Sequence, residues 1–369
     1  MSRLKVILSG GGTGGHIFPA VSIANEIRSI VPDAEILFVG ALGKMEMEKV
    51  PASGYKIIGL PIAGIQRKLT LSNLKFPFLL IKSILKARSI VREFKPDVVV
   101  GTGGYASGPL LRAATSMGIP ALIQEQNSYA GVTNKWLSKK ASKICVAYEG
   151  MEQFFPKEKI ILTGNPVRQD IKDIDEKKGE GQKFFNLDPS KKTLLAVGGS
   201  LGAKGINEAL GMGLKEIADN NIQLIWQTGK PYFETAKQQT APFKEKNINA
   251  VDFISRMDLG YAVADVVISR AGAGAVSELC IVKKPSILVP LLTAAEDHQT
   301  KNAMSLVNKN AAILVRDDET KTKLVKEAIA LMKDNSKQEE LSKNAAKLAL
   351  LNSANVIAKE VLKLANYKP

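Results

Sequence analysis

A glycine-rich segment near the amino terminus runs directly into a histidine. The segment GGGTGGHIFPA spans residues 10–20 and contains one of only two histidines in the 369-residue chain. Gly10, Gly12 and Gly15 follow a predicted strand with the GxGxxG spacing, in which backbone N–H groups at a helix start receive a phosphate. A dinucleotide site also needs an acid at the end of the second strand, where residues 39–41 read Val-Gly-Ala. The glycines therefore predict a loop that a sugar or diphosphate can approach, without a dinucleotide.

His16 stands where this loop meets its helix, at the carboxyl end of a predicted parallel strand. Ligands of open α/β sheets bind at that edge. The positive end of the helix disfavours a protonated imidazole, and a neutral imidazole in a cleft is a competent general base. His16 is therefore the candidate catalytic residue. On these residues alone, a histidine that merely caps or packs at a helix start is the alternative.

A second glycine-rich turn carries an acid. RAGAGAVSE, at residues 270–278, follows the predicted strand ADVVIS. Its small residues leave backbone N–H groups accessible at a helix start, which suits a diphosphate. Glu278, about one turn into that helix, can accept hydrogen bonds from both ribose hydroxyls of a nucleotide. The alternative is an acid that only favours the first turn of its helix.

Two further polar segments follow predicted strands. GGSLGAKG, at residues 198–205, is a third predicted anion-binding turn, with Ser200 as a hydroxyl donor to phosphate. EDHQTKNA, at residues 296–303, places His298 and Gln299 in a polar loop, where they can face a cleft. For the first segment the alternative is a tight turn that needs glycine. For the second it is a solvated loop.

Short β-branched runs alternate with helical patterns and would place all of these turns at strand ends. The runs form two sets, at residues 4–8, 35–40, 97–101, 120–124 and 143–147, and at residues 193–199, 222–226, 264–269 and 286–290. This alternation is typical of right-handed βαβ units. We predict an α/β protein with two Rossmann-like, doubly wound parallel-sheet domains that face each other across a cleft.

The domain boundary is predicted near LTGNPVR, residues 162–168, where a strand-like run ends in Gly-Asn-Pro. Residues 170–182 are polar and glycine-bearing, which is typical of an exposed connection. We predict domains over residues 1–165 and 166–344. The last segment, about residues 345–369, has helical spacing and is expected to pack back on the first domain.

Composition restricts the class of protein and its partners. Hydrophobic residues are 45% and charged residues 24% of the chain, as in soluble globular proteins. Cys145 and Cys280 lack metal-ligand spacing and predict buried thiols in a reducing compartment. The first apolar run, Val6-Ile7-Leu8, is too short for a signal peptide, and no run approaches the roughly 20 residues of a membrane span.

The net charge of +15 favours a polyanionic partner: nucleic acid, a phosphorylated substrate or an anionic membrane.

The strongest basic cluster is residues 67–95, with eight Lys or Arg residues and one acid, Glu93. Its predicted helix carries an apolar stripe flanked by cations, which is typical of a segment lying in a bilayer interface. The predicted membrane-facing residues are Phe78, Ile81, Lys82, Leu85, Lys86 and Arg88. An ordinary helix that packs its apolar face on the core is the alternative.

Seven segments in this order and spacing resemble the MurG family of glycosyltransferases. They are GGGTGGHIFPA, GTGGYASGP, EQNSYAGVTNKWL, TGNPVR, GGSLGAKGIN, RAGAGAVSE and EDHQTKNA, and they span residues 10–303. That family makes lipid II by transferring N-acetylglucosamine from UDP-N-acetylglucosamine to lipid I, the undecaprenyl-diphosphate-linked N-acetylmuramyl-pentapeptide. The resemblance implies the GT-B architecture, with the acceptor and the membrane at the first domain and the donor mainly at the second.

The resemblance also implies a donor site. Its residues are Thr13, Gly14, Gly15, Asn127, Arg168, Ser200, Ile254, Ala273, Gly274, Ala275, Val276, Ser277, Glu278 and Gln299. Ile254 is expected to meet the uracil through its backbone and Glu278 the ribose. Ser200 and the start of the helix at Ala273 are expected to hold the diphosphate, and Asn127 and Gln299 the sugar. His16 would take the proton of the attacking C4 hydroxyl, and the anomeric carbon would invert.

Partners and location follow from the same reading. We expect UDP-N-acetylglucosamine, lipid I and an anionic membrane surface as partners, at the cytoplasmic face of the bacterial inner membrane. Nucleic acid is not expected, because aromatic residues are only 6% of the chain and the basic segment is mainly aliphatic. No tightly bound cofactor or metal is expected: Asp173-Ile174-Asp175 is interpreted as solvated charge, and a dissolved divalent cation could stimulate turnover. Other enzymes of this architecture, a diacylglycerol glycosyltransferase or a UDP-sugar epimerase, are the alternatives.

Overall fold

A computed structural model of the chain describes residues 3–62 and 76–367. The chain divides into two compact units, Met1–Val167 together with Leu351–Pro369, and Arg168–Leu350. The division lies two residues after the predicted boundary at residue 165. The chain returns to the first unit at Leu351, later than the predicted residue 345.

The first unit is built on a parallel sheet of strand order β3-β2-β1-β4-β5-β6-β7. Its strands are β1 Lys5–Gly10, β2 Glu35–Ala41, β3 Lys56–Leu60, β4 Val98–Gly103, β5 Ala121–Glu125, β6 Lys143–Val146 and β7 Ile160–Leu162. The central strands are apolar on both faces; Val98, Val99 and Val100 are all fully buried. Strands of this kind require helices on both sides of the sheet.

Helices cover both faces of this sheet. The helices of the first unit are α1 Gly14–Ile30, α2 Glu46–Ala52, α3 Phe76–Phe94, α4 Ser107–Ser116, α5 Val132–Leu137 and, from the end of the chain, α14 Ser353–Leu364. Helices α1 and α14 pack together against one face of the sheet, and α3 and α4 against the other. Asn355 Nδ2 of α14 donates a 2.6 Å hydrogen bond to Glu26 Oε1 of α1.

The second unit repeats the plan with the strand order β10-β9-β8-β11-β12-β13, again all parallel. Its strands are β8 Thr193–Val197, β9 Gln223–Gln227, β10 Ile248–Val251, β11 Val266–Ser269, β12 Ser286–Leu288 and β13 Ile313–Leu314. Its helices are α6 Lys178–Phe184, α7 Lys204–Asp219, α8 Lys230–Thr240, α9 Met257–Val263, α10 Ala273–Val282, α11 His298–Val307, α12 Thr320–Lys333 and α13 Asn335–Lys347. The predicted α/β fold with two doubly wound sheets is confirmed.

Two details differ from the predictions. The helical segment expected over about residues 345–369 is broken: α13 ends at Lys347 and α14 starts at Ser353, after Asn352 with a positive φ of 63°. Strands β3, β10 and β13 were not predicted. Each lies at an edge of its sheet.

The prediction of two buried thiols is confirmed. Cys145 and Cys280 are buried free thiols, and burial raises the pKa of each to about 12. Among residues 3–62 and 76–367, no helix is both long and apolar enough to cross a membrane. Residues 67–75 of the predicted basic segment lie outside the described residues.

Candidate active site

The loop that carries His16 lies where the strand order of the first sheet reverses. Strand β1 pairs with β2 on one side and with β4 on the other, so the loops after β1 and β4 meet at the position where doubly wound sheets bind ligands. His16 is the third residue of α1 and is half-buried. Its Nδ1 lies 3.0 Å from the carbonyl oxygen of Gly11. Because a carbonyl can only accept, Nδ1 carries the ring proton and Nε2 is the basic nitrogen.

The GTGG segment at residues 101–104, where β4 ends, packs directly on this histidine. A Cβ on Gly103, where φ is +104°, would lie 2.8 Å from His16 Cδ2, and one on Gly104 would overlap the Gly11 carbonyl. The Thr102 hydroxyl donates a 2.7 Å hydrogen bond to the backbone carbonyl of His16. Glycine is therefore required at both positions for the two turns to interlock and hold the imidazole.

Asn127 lies at the same edge, after β5, and a buried acid holds it. Glu125 Oε1 accepts a 3.0 Å hydrogen bond from the Asn127 backbone N–H, and Glu125 Oε2 accepts from Gly131 N at 3.0 Å and Asn134 Nδ2 at 2.8 Å. Glu125 was not predicted from the sequence, although an acid at the last residue of a buried strand was a usable signal. Thr13, Gly14 and Gly15 also belong to this edge, and Thr13 and Gly15 are exposed.

In the second unit, two predicted anion-binding turns follow adjacent strands. Strands β8 and β11 pair with each other, and the order of this sheet also reverses between them. Ser200 is exposed in the turn after β8, and α10 begins at Ala273 after β11. An added Cβ on Gly272 or Gly274 would meet no atom within 4 Å. There is therefore room for a diphosphate beside Gly272 and Gly274 at this helix start, whereas the N–H of Val276 already donates a 3.0 Å hydrogen bond to the carbonyl of Gly272.

Glu278 is held by two partners. Its Oε1 accepts a 3.0 Å hydrogen bond from Arg168 Nε, and its Oε2 accepts one of 3.0 Å from the hydroxyl of Tyr261. Burial raises the pKa of Glu278, and the Arg168 guanidinium opposes that rise. Glu278 is the sixth residue of α10, beyond its first turn, so its interpretation as a first-turn acid is wrong. The structure thus joins the predicted residues Arg168 and Glu278; Tyr261 has no signal in the sequence.

Ile254 and Gln299 each use one hydrogen-bonding group in a contact within the protein. The Ile254 N–H donates a 2.9 Å hydrogen bond to Gln227 Oε1, so the predicted backbone contact with uracil would have to use the Ile254 carbonyl. Gln299 Oε1 accepts a 3.0 Å hydrogen bond from Leu291 N, so the predicted contact with the sugar would have to use Gln299 Nε2. Ile254 lies three residues after β10, whereas Gln299 is the second residue of α11. The prediction that His298 and Gln299 lie in a polar loop is therefore wrong: they begin a helix.

The predicted membrane-facing helix presents its apolar stripe outward. The exposed fraction is 76% for Phe78, 59% for Ile81 and 60% for Leu85, while Ser83 and Ala87 on the opposite face of α3 are buried. The alternative, that this stripe packs on the core, is wrong.

Two of the three predicted cations on this helix have protein partners. Lys86 Nζ donates a 2.8 Å hydrogen bond to the carbonyl of Gly59, and Arg88 lies 3.5 Å from the Ser116 hydroxyl. Lys82 is exposed. Lys86 and Arg88 therefore contact neighbouring elements of the first unit, and that they also face a membrane stays a prediction.

The Asp-Ile-Asp segment at residues 173–175 lies in the second unit. Asp173 and Asp175 are exposed. Within the part of the chain that the structure describes, no group of three or more His, Cys, Asp or Glu side chains is arranged to hold a metal ion.

Comparison with known proteins agrees with this geometry. Residues 6–146 match the Glycosyltransferase family 28 N-terminal domain, and residues 193–361 match the Glycosyltransferase family 28 C-terminal domain. The chain is 56% identical to the UDP-N-acetylglucosamine–N-acetylmuramyl-(pentapeptide) pyrophosphoryl-undecaprenol N-acetylglucosamine transferase of Flavobacterium psychrophilum, over 99% of this chain and 98% of that one. It is 58% identical to the enzyme of the same name from Phocaeicola vulgatus, over 99% and 97%.

Solved structures extend the comparison to the fold. The crystal structure of Acinetobacter baumannii MurG is similar with a TM-score of 0.80 and 27% identity, covering 98% of this chain and all of that one. A UDP-N-acetylglucosamine 2-epimerase has a TM-score of 0.64 at 14% identity. The second likeness concerns the fold alone.

Proposed function

The chain belongs to glycosyltransferase family 28, and we propose that it forms lipid II by moving N-acetylglucosamine from UDP-N-acetylglucosamine to the C4 hydroxyl of lipid I. It is an N-acetylglucosaminyltransferase with the GT-B fold. One observation supports the proposed reaction above all. His16 lies where the strand order of the first sheet reverses, and its ring proton is on Nδ1. The C4 position, the inversion and the role of each residue belong to the proposal.

The donor binds chiefly to the turns of the second unit. Glu278 accepts hydrogen bonds from the ribose, and Ser200 with the first N–H groups of α10 binds the diphosphate. As the glycosidic bond breaks, UDP gains negative charge, and donors already oriented toward it stabilise that charge without reorganising. The positive helix end adds roughly half an elementary charge.

The acceptor reacts by direct displacement. Its hydroxyl attacks the anomeric carbon through an oxocarbenium-like transition state, the bond to UDP breaks, and the configuration inverts. The hydroxyl proton passes to His16 Nε2, since Nδ1 is already protonated. Thr13, Gly14 and Gly15 beside His16, together with Asn127, contribute the contacts of the first unit with the donor sugar.

Transfer of radiolabelled sugar to a purified lipid I analogue tests this function. We expect labelled lipid II from UDP-N-acetylglucosamine and far less product from UDP-glucose, because a site that hydrogen-bonds a polar substituent rejects the analogue lacking it. Absence of product with lipid I, or equal use of both donors, would contradict the assignment.

We propose that no protein-bound metal takes part. In the same assay, EDTA should leave transfer measurable, and added Mg²⁺ should at most stimulate it by screening the charge of UDP. Loss of all transfer in EDTA would show that a bound metal is needed.

We also propose peripheral binding to the cytoplasmic face of the inner membrane through the exposed stripe of α3. Phe78, Ile81 and Leu85 can enter the interface between headgroups and acyl chains, and Lys82 lies beside them on the exposed side of the helix. Apolar burial and attraction to anionic lipid then act together. A mainly aliphatic stripe suits lipid better than nucleic acid, which is bound by stacking on aromatic side chains.

Phe78→Ser is expected to weaken binding to phosphatidylglycerol-containing vesicles about tenfold, since burying a large apolar side chain contributes about 1.5–3 kcal/mol. Cosedimentation over a lipid titration measures the change. Met212→Ser is the matched control, because Met212 is similarly exposed at 70% but lies in the second unit. Equal binding by both variants would place the membrane contact elsewhere.

A further inference from the structure

A buried carboxylate lies behind the His16 loop. Glu46 is the first residue of α2 and its side chain is only 1% exposed. Its Oε1 accepts a 2.9 Å hydrogen bond from the N–H of Ala41, at the end of β2, and its Oε2 accepts one of 2.8 Å from the N–H of Gly12. Burying a charged group is costly unless such donors satisfy it. The carboxylate thereby ties the glycine-rich loop to the end of the neighbouring strand.

Two glycines make room for this carboxylate. A Cβ on Gly11 would overlap the carboxylate oxygens of Glu46, and a Cβ on Gly40 would lie 2.6 Å from Glu46 Cγ. Neither glycine has a positive φ, so the requirement for glycine comes from the space that Glu46 occupies. Glycine at position 11 therefore makes room for the carboxylate.

One peptide group connects Glu46 to His16. The N–H that Glu46 accepts from is that of Gly12, and the carbonyl that accepts from His16 Nδ1 is that of Gly11. These two groups belong to the same amide, whose resonance couples its nitrogen to its oxygen. A negative charge at the N–H end draws electron density toward the carbonyl oxygen, which makes that oxygen a stronger acceptor for the imidazole.

We propose that Glu46 is a positioning residue for His16, acting through the peptide group between Gly11 and Gly12. In a catalytic triad, the carboxylate keeps the imidazole in one tautomer and stabilises the imidazolium. Glu46 has the same role for His16, with an amide group between the two side chains. When His16 Nε2 accepts the acceptor's proton, both ring nitrogens are protonated. The positive charge then meets a polarised carbonyl and, beyond it, the Glu46 carboxylate. This inference rests on the proposed role of His16 as the base.

Glu46→Gln tests the connection. Glutamine has nearly the same shape but presents an NH₂ group to one of the two N–H donors, so one hydrogen bond is lost. We expect kcat to fall about tenfold, as for the loss of one charge-assisted hydrogen bond, with KM for UDP-N-acetylglucosamine within about twofold. Glu48→Gln is the control: it makes the same charge change on the same helix, at a side chain that is 80% exposed.

Imidazole ¹⁵N NMR supplies a readout that a merely structural residue would not change. The unmodified protein should show His16 protonated at Nδ1, and Glu46→Gln should show a mixture of tautomers. A ring protonated at Nε2 in the unmodified protein overturns the proposal, even if the variant fails to fold. An unchanged tautomer together with unchanged kcat in a folded Glu46→Gln protein also overturns it. If His16→Ala retains the turnover of the unmodified protein, the assignment of His16 as the base is wrong. The tautomer measurement then still tests whether Glu46 orients the imidazole.

Discussion

Replacing His16 with alanine is expected to lower kcat about 10²- to 10⁴-fold, while KM for UDP-N-acetylglucosamine changes less than about threefold. General-base catalysis by a positioned side chain contributes a factor of that size. The donor affinity should survive, because the proposed diphosphate and ribose contacts lie on the second unit. Steady-state kinetics with a lipid I analogue measures both constants.

His16→Asn separates catalysis from packing. The asparagine amide can still donate to the carbonyl of Gly11, as Nδ1 does now at 3.0 Å, but it cannot accept a proton. We expect this variant to be as slow as His16→Ala. If asparagine restores turnover, His16 acts as a structural donor and another group removes the proton.

Replacing Glu278 with alanine should raise KM for UDP-N-acetylglucosamine about a hundredfold, with a much smaller change in kcat. The variant removes the proposed acceptor of the ribose hydroxyls, and a hydrogen bond to a charged group contributes about 1.5–3 kcal/mol. It also leaves Arg168 and the Tyr261 hydroxyl without the carboxylate that accepts from them at 3.0 Å. Donor titration by calorimetry and steady-state kinetics both report the loss.

Tyr261→Phe distinguishes the ribose contact from the support of the carboxylate. It removes one hydrogen bond to Glu278 Oε2 and leaves Arg168 in place, so KM should rise only about fivefold, in line with about 1 kcal/mol for one neutral donor. Thermal unfolding of both variants controls for stability, because Tyr261 is only 3% exposed. Unchanged KM in Glu278→Ala would remove this residue from the ribose.

The interior of each sheet could be predicted from the sequence, whereas of the edge strands only β7 had a recognisable strand-like run. Strands β1, β4, β8 and β11 are β-branched runs buried on both faces, and each ends in a glycine-bearing turn, so composition alone marks them. Edge strands pair on one side and are partly exposed. In β3, Lys56 and Ile58 are exposed, and β13 has only two residues. Such strands form because a neighbouring strand offers N–H and C=O groups for hydrogen bonds. That cause lies in the tertiary structure and not in the sequence of the strand itself.

The same distinction separates the active-site residues from their partners. The sequence by itself determined where His16, Ser200 and Glu278 lie, because a turn that follows a buried parallel strand opens at the ligand-binding edge of the sheet in either unit. Short-range spacing carries that information.

Only the tertiary structure decided what these residues touch. Lys86 Nζ donates to the carbonyl of Gly59, 27 residues away, and Glu46 accepts from the N–H of Gly12, 34 residues away. The tertiary structure also brought Tyr261 to Glu278. These contacts depend on how helices pack over the sheet and on which atoms need hydrogen-bond partners once water is excluded. Neither can be read from spacing along the chain, because the same residues would suit a solvated surface equally well.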